Sequence, residues 1–272
     1  MADSAKKVLF VSSEIFPYVP ETHISHMGRY LPQGIQERKM EIRSFMPRYG
    51  CINERKNQLH EVIRLSGMNI IIGDVDRPLV IKVASISAAR LQVYFIDNED
   101  YFKRKAIYTD SEGKFFKDNG ERAIFFARGV LETVKKLRWA PDIIHCQGWI
   151  SHLLPLYLKK VYKDDPIFSL SKVVLSLFGD TPKEKFSPDF ADMILCGGIC
   201  KEDVGLDAEA GGIELAQLAA KYSDGIIFGS ADVDPSVEKA VKALDLPILP
   251  FNEEEFADGS YFDTYKGFYD KL

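Results

Sequence analysis

The stretch Lys7-Val8-Leu9-Phe10-Val11-Ser12, reading KVLFVS, is followed by a loop through Pro17 and Pro20 and then by helical spacing from His23 to Arg38. Successive side chains of a strand point to opposite faces, so an unbroken apolar run means that both faces are buried. This is the signature of an inner strand in a parallel sheet with helices on both sides. A second strand pattern, Glu41 to Met46, comes next, and the chain therefore opens as a β-α-β unit.

The same alternation continues. Between Asp118 and Leu137 apolar residues recur at helical spacing (Ile124, Phe125, Ala127, Val130, Leu131, Val134, Leu137), with Asp118 or Asn119 placed to cap the start. Pro141 stops that helix, DIIHC (Asp142 to Cys146) reads as a strand, and a helix is expected from Ile150 to Tyr162. KVVLSLF (Lys172 to Phe178), GIIFG (Gly225 to Gly229) and Pro247 to Leu249 read as further strands, with helices at Gly212 to Tyr222 and Pro235 to Leu244. Gln58 to Phe95 holds short β-like runs, VIRL, MNIIIG, LVIKVASI and LQVYFID, separated by turn residues, and predicts an antiparallel insertion. The expected fold is α/β: a doubly wound, mainly parallel sheet with a small β insertion over residues 1–250. An acidic, aromatic tail over 251–272 is expected to lie on the surface as a helix or strap.

At 272 residues, 46% hydrophobic and 28% charged, the chain has ordinary globular composition and can bury a substantial core. Its net charge of −5 gives no basic patch for nucleic acid or an anionic membrane, and neither partner is expected. The opening MADSAKKVLF lacks the apolar run of a secretion signal, and no later stretch approaches the roughly 20 apolar residues of a membrane span, so a cytoplasmic protein is expected. Cys51, Cys146, Cys196 and Cys200 show no paired C-x2-C spacing, and CGGIC (Cys196 to Cys200) has no second ligand pair; reduced thiols, no metal and no cofactor are expected. His23 and His26 stand one turn apart without an acidic partner in the pattern and read as a surface cluster at a helix start. DAEAGG (Asp207 to Gly212) carries two carboxylates and reads as a solvated turn rather than a phosphate loop.

Seven segments stand in a telling order: KVLFVSSEIFPYV (Lys7 to Val19), Leu31-Pro32, MPRYG (Met46 to Gly50), YFIDNEDYF (Tyr94 to Phe102), Tyr108-Thr109-Asp110, DNGERAIFFARGVLE (Asp118 to Glu132) and WAPDIIHCQGW (Trp139 to Trp149). Together, over roughly residues 6 to 180, they resemble the N-terminal domain of the bacterial glycogen and starch synthases, which elongate α-1,4-glucan from ADP-glucose or UDP-glucose. The resemblance implies a Rossmann-like domain of the GT-B architecture on the acceptor side of the cleft, with an α-glucan or sugar nucleotide as ligand. It also implies a second GT-B domain, and the chain is expected to lack it because the sequence stops first.

Function does not follow from fold, so each family position is checked in turn. The family's K-x-G-G-L, whose glycines and lysine receive phosphates at a helix N-terminus, is replaced by Pro20-Glu21-Thr22-His23-Ile24. In the family's HxHDWH the aspartate position is Gly148, within His145-Cys146-Gln147-Gly148-Trp149-Ile150. In its TxHN strand end the histidine position is Phe178. These losses predict no catalytic residue in this chain, since a leaving diphosphate must be stabilised by groups that are present. Tyr108, Trp149 and the cluster Asp118, Asn119, Glu121 and Arg122 match the family but also suit ordinary structure. A binding cleft is expected at the carboxyl edge of the sheet, lined by Thr22, His23, Tyr108, Asn119, Gln147 and Trp149. The expected function is a non-catalytic relative that binds glucan or a protein partner in glycogen metabolism. Two other readings stand beside it: half of a glucosyltransferase completed by a separate C-terminal domain, and a scaffold that self-associates through the face left by that missing domain.

Overall fold

The computed structural model describes residues 5–272. Its strands are β1 (Lys7–Ser12), β2 (Glu41–Pro47), β3 (His60–Glu61), β4 (Met68–Ile72), β5 (Val75–Ile86), β6 (Leu91–Asp97), β7 (Ile143–Gln147), β8 (Lys172–Leu177), β9 (Gly225–Phe228) and β10 (Ile248–Leu249). The helices are α1 (His23–Glu37), α2 (Glu99–Phe102), α3 (Asn119–Leu137), α4 (Leu154–Lys160), α5 (Phe190–Ile194), α6 (Lys201–Val204), α7 (Gly212–Lys221), α8 (Pro235–Lys242), α9 (Glu253–Asp258) and α10 (Tyr261–Asp270). The sheet runs β10-β9-β8-β7-β1-β2-β6-β5-β3, parallel from β10 through β6, with β5 antiparallel to β6 and both β3 and β4 antiparallel to β5. The chain winds outward from β1 through β2 to β6, then returns to β7 and winds the other way. The switch point therefore falls between β1 and β7, whose carboxyl ends open a crevice.

Both faces of β1 are buried, as its sequence requires. Leu9 and Val11 belong to one hydrophobic layer, with Phe45, Ile144, Leu175 and the inward faces of α3, α4 and α7. Val8 and Phe10 belong to the other, with Ile143, Val174 and the α1 residues Ile24, Met27, Leu31 and Ile35. Burying each such side chain contributes roughly 1.5–3 kcal/mol, so these two layers carry most of the driving force.

Three expectations change in the folded chain. LQVYFID is not part of the insertion: it is β6, parallel to β2, and every residue from Val93 to Asp97 is buried, while β3, β4 and β5 alone form the antiparallel flank. The helix expected from Ile150 begins as a 3-10 turn at Trp149–Ser151, and α4 starts only at Leu154, where Pro155 in the first turn suits a helix start and not its interior. The tail divides. α9 has no buried residue, but α10 is a core element that buries Tyr261, Tyr265, Phe268 and Tyr269 in the same layer as Val8 and Phe10.

What seats α10 is a polar centre inside that layer. His145, fully buried on β7, meets the Tyr269 hydroxyl at Nδ1 (2.7 Å) and the Ser176 hydroxyl at Nε2 (2.6 Å). Burial pulls its pKa down to about 3, so the ring is neutral and donates from one nitrogen while accepting at the other. Lys6 donates to the Tyr269 carbonyl (2.8 Å), and Arg38 pairs with Asp263 (2.6 Å). Gly34 on α1 lets the Phe262 ring approach to where a Cβ would lie only 2.3 Å away.

Tyr269→Phe keeps the ring but strands one His145 nitrogen in an apolar layer, and is expected to lower stability by about 1–3 kcal/mol in urea denaturation. Retention of wild-type stability would mean that the His145 contact contributes nothing.

Candidate binding cleft at the carboxyl edge of the sheet

The loops after β1, β8 and β9 and the first turn of α1 enclose a cleft of about 390 Å³ lined by Thr22, His23, Ile24, Phe178, Gly179, Asp180, Ser230, Ala231, Asp232 and Phe251. Its geometry begins at α1. Thr22 caps the helix: its hydroxyl accepts from the Ser25 amide (3.0 Å), and the Ser25 hydroxyl accepts from the Thr22 amide (2.8 Å). The Thr22 hydroxyl donates in turn to Glu14 Oε2 (2.8 Å). His23 turns its ring toward β9, with Nε2 2.7 Å from the Gly229 carbonyl oxygen, and packs against Phe178, Phe251 and Phe256. The amide that a phosphate would seek at this helix start is held by the chain's own side chains, next to a carboxylate.

The opposite wall is built by two strand ends. After β8 the chain runs Phe178-Gly179-Asp180, and after β9 it runs Gly229-Ser230-Ala231-Asp232. The Asp232 carboxylate closes over Gly179, where a Cβ would lie 2.2 Å from Oδ2 and a larger residue would have to push that exposed side chain aside. The Ser230 hydroxyl accepts from the Gly179 amide (3.2 Å). Asp180 Oδ2 accepts from the Trp149 amide (2.9 Å), while its buried Oδ1 has no partner among the described residues. Burial pushes the Asp180 pKa up to about 7, with Glu14 and Asp232 adding repulsion and the Trp149 amide opposing. Burial also raises the Glu14 carboxyl, against the Thr22 hydrogen bond. None of the lining residues is a lysine or arginine.

Gly148, directly after β7, has φ +83°, a conformation that favours glycine. A Cβ there would lie 1.9 Å from Ser13 Oγ, 2.8 Å from Ser13 Cβ and 3.1 Å from Asp180 Oδ2. A side chain at 148 is therefore excluded both by backbone conformation and by its neighbours.

Of the residues singled out in the sequence, Thr22 and His23 line the cleft, and Phe178 forms part of its wall although only 2% exposed. Gln147 is fully buried and accepts from the Ser12 hydroxyl (2.8 Å). Tyr108, Asn119 and Trp149 gather elsewhere. Trp149, 1% exposed, packs among Tyr108, Phe115 and Phe186, and the buried Asn119 donates to the Tyr108 carbonyl (2.8 Å) and accepts from Arg122 (2.5 Å). Sequence reasoning missed Glu14, Asp180, Ser230, Asp232 and Phe251. The available signal was position: an acidic residue just beyond each of β1, β8 and β9, where open α/β sheets place their ligands.

Among the described residues no group of three or more His, Cys, Asp or Glu side chains is arranged to hold a metal ion, and no helix is long and apolar enough to cross a membrane.

A doubly wound, mainly parallel sheet with its crevice at this switch point defines a Rossmann-like domain. A family model described as the starch synthase catalytic domain matches residues 7–233, and the chain belongs to that family, as an N-terminal-type domain. The glycogen synthase of Chlorobium limicola is 44% identical over 178 residues, covering 65% of this chain and 36% of the relative. That of Chlorobaculum tepidum is 36% identical over 252 residues, covering 89% of this chain and 51% of the relative. The chain thus spans between about a third and a half of the curated relatives it matches. The catalytic domain of starch synthase IV from Arabidopsis thaliana, solved bound to ADP and acarbose, superposes with a TM-score of 0.73 at 14% identity, over 91% of this chain and 51% of that one, and shares the fold.

The raised Asp180 pKa carries a sign for stability. A carboxyl whose folded-state pKa exceeds its unfolded value of 3.8 stabilises fully below that value, loses the contribution as pH rises toward about 7, and leaves a constant deficit above. Asp180→Asn removes the deficit and can still accept from the Trp149 amide. Relative to wild type, the variant is expected to gain about 2–3 kcal/mol between pH 5 and pH 8, at about 1.4 kcal/mol per unit of pH within the window. Urea denaturation at the two pH values checks this, and parallel profiles would refute the burial of that charge.

Proposed function

We propose that this chain is a non-catalytic, glucan-binding member of the starch synthase family, acting in the cytoplasm in the context of glycogen metabolism. The observation that carries the reading is the cleft's chemistry. Its polar lining consists of hydroxyls and carboxylates beside the rings of His23, Phe178 and Phe251, with no cation in the lining. Carboxylates accept from sugar hydroxyls and apolar faces receive the C–H faces of a pyranose, whereas a diphosphate demands donors and positive charge. The capped start of α1 supports the same view, since its Thr22–Ser25 box and the neighbouring Glu14 occupy the place of an anion site. Phe178 and Gly148 supply no group able to stabilise charge on a transferring glucosyl unit.

The test is a thermal-shift titration with maltotetraose, ADP-glucose, UDP-glucose and ADP, since a ligand that binds the folded state raises Tm by mass action. A shift with maltotetraose alone is expected, together with no incorporation of glucose from either sugar nucleotide. A shift with the nucleotides would overturn the reading. Reintroducing the acidic side chain as Gly148→Asp is expected to cost about 2 kcal/mol or more through strain and the Ser13 clash, without creating transferase activity. Denaturant unfolding and a glucose-incorporation assay measure the two effects.

A further inference from the structure

A second hollow, of about 500 Å³, shares no lining residue with the cleft. One rim is the turn before α3, which carries Lys114, Phe115 and Lys117; the other is the segment after β8, which carries Glu184, Lys185 and Phe186. The chain holds both rims in place. Asp110 Oδ1 accepts from the amides of Glu112 and Lys114 (2.9 Å each), and Thr109 is bridged to Phe115. Lys185 is bridged to Gly211, and the Phe186 amide donates to the Ala210 carbonyl (3.0 Å). Phe115 and Phe186 both pack against Trp149, with ring centroids 5.8 Å and 6.0 Å away. The charge is the reverse of the cleft's. In a chain of net charge −5, three lysines and one glutamate line this hollow. Lys185 is paired with Glu209, but among the described residues Lys114 and Lys117 meet no carboxylate, and Asp118, next to Lys117 in sequence, is turned to Arg104 (2.9 Å). Cations gathered in a concave site raise the local potential and favour an anion there.

We propose that this hollow is a binding site for a small phosphorylated sugar, separate from the cleft and independent of the reading given to it. Lys114 and Lys117 donate to the phosphate, and Lys185, shared with Glu209, adds to the positive field. The exposed part of the half-buried Phe115 receives a C–H face of the sugar, and Glu184, an acceptor when ionised, takes its hydroxyls. A nucleotide fits less well, because a base stacks on an open ring face. Phe186 is only 6% exposed and lies against Phe190, 4.4 Å between centroids, while Phe115 is covered by Trp149 and Phe186.

Isothermal titration with α-glucose 1-phosphate, inorganic phosphate, glucose and ADP, on wild type and two double variants, tests the assignment. Wild type is expected to bind α-glucose 1-phosphate at least tenfold more tightly than inorganic phosphate, glucose or ADP, and less tightly as salt is added. Lys114→Ala with Lys117→Ala, both at exposed positions, is expected to weaken the sugar phosphate by at least tenfold and to leave the melting temperature unchanged. Lys114→Arg with Lys117→Arg keeps the charge and is expected to retain binding within threefold. The assignment is overturned if wild type does not bind α-glucose 1-phosphate, or if the alanine variant binds it as wild type does. Equal affinity for inorganic phosphate would reduce the hollow to a patch for any anion, and equal affinity for ADP would remove the selection for sugar; either result also overturns it. Maltotetraose binding reports on the cleft alone, so the two readings stand or fall separately.

Discussion

Val8 and Phe10 enter one hydrophobic layer and Leu9 and Val11 the other, so β1 has no face in water and its backbone groups must be met by neighbouring strands on both edges. β2 and β7 provide those edges, in parallel, with Leu9 opposite Arg43 on one side and Ile144 on the other. Parallel neighbours need crossovers, and crossovers place helices on the faces. The winding outward to β6 and back through β7 to β10 follows from this constraint, and with it the crevice where the two directions part.

The layer containing Val8 and Phe10 is the more demanding of the two, because α1 alone does not close it. α10 completes the cover, and it is anchored where one would least expect polarity, at His145 in the middle of β7. A neutral histidine with both nitrogens satisfied is tolerated in such a layer, and it fixes α10 in register against β7 and β8. The consequence reaches the cleft. With α10 seated, the preceding segment brings Phe251 into the cleft wall and Phe256 against the His23 ring, so the tail that closes the core also shapes the binding surface.

Much of this was legible. The apolar runs placed the parallel strands to within a residue or two. LQVYFID misled because a strand joining an antiparallel flank to a parallel core has the same composition as either, and only its partners distinguish them. Tyr108, Asn119 and Trp149 were placed at the cleft by motif order. Their mutual contacts, and the packing of Phe115 and Phe186 over Trp149, are made by loops whose course no local pattern specifies.

The sequence by itself determined the strands and their alternation with helices, because each is written in local periodicity and in the turn residues between. Tertiary structure alone decided that Asp180 accepts from the Trp149 amide, that Asp232 closes over Gly179 and that α10 belongs to the core. These are meetings of residues from separate strands and helices, set by sheet order and by how two helices approach. A carboxylate can therefore line a cleft from one strand end without leaving any mark in the motif of its neighbour.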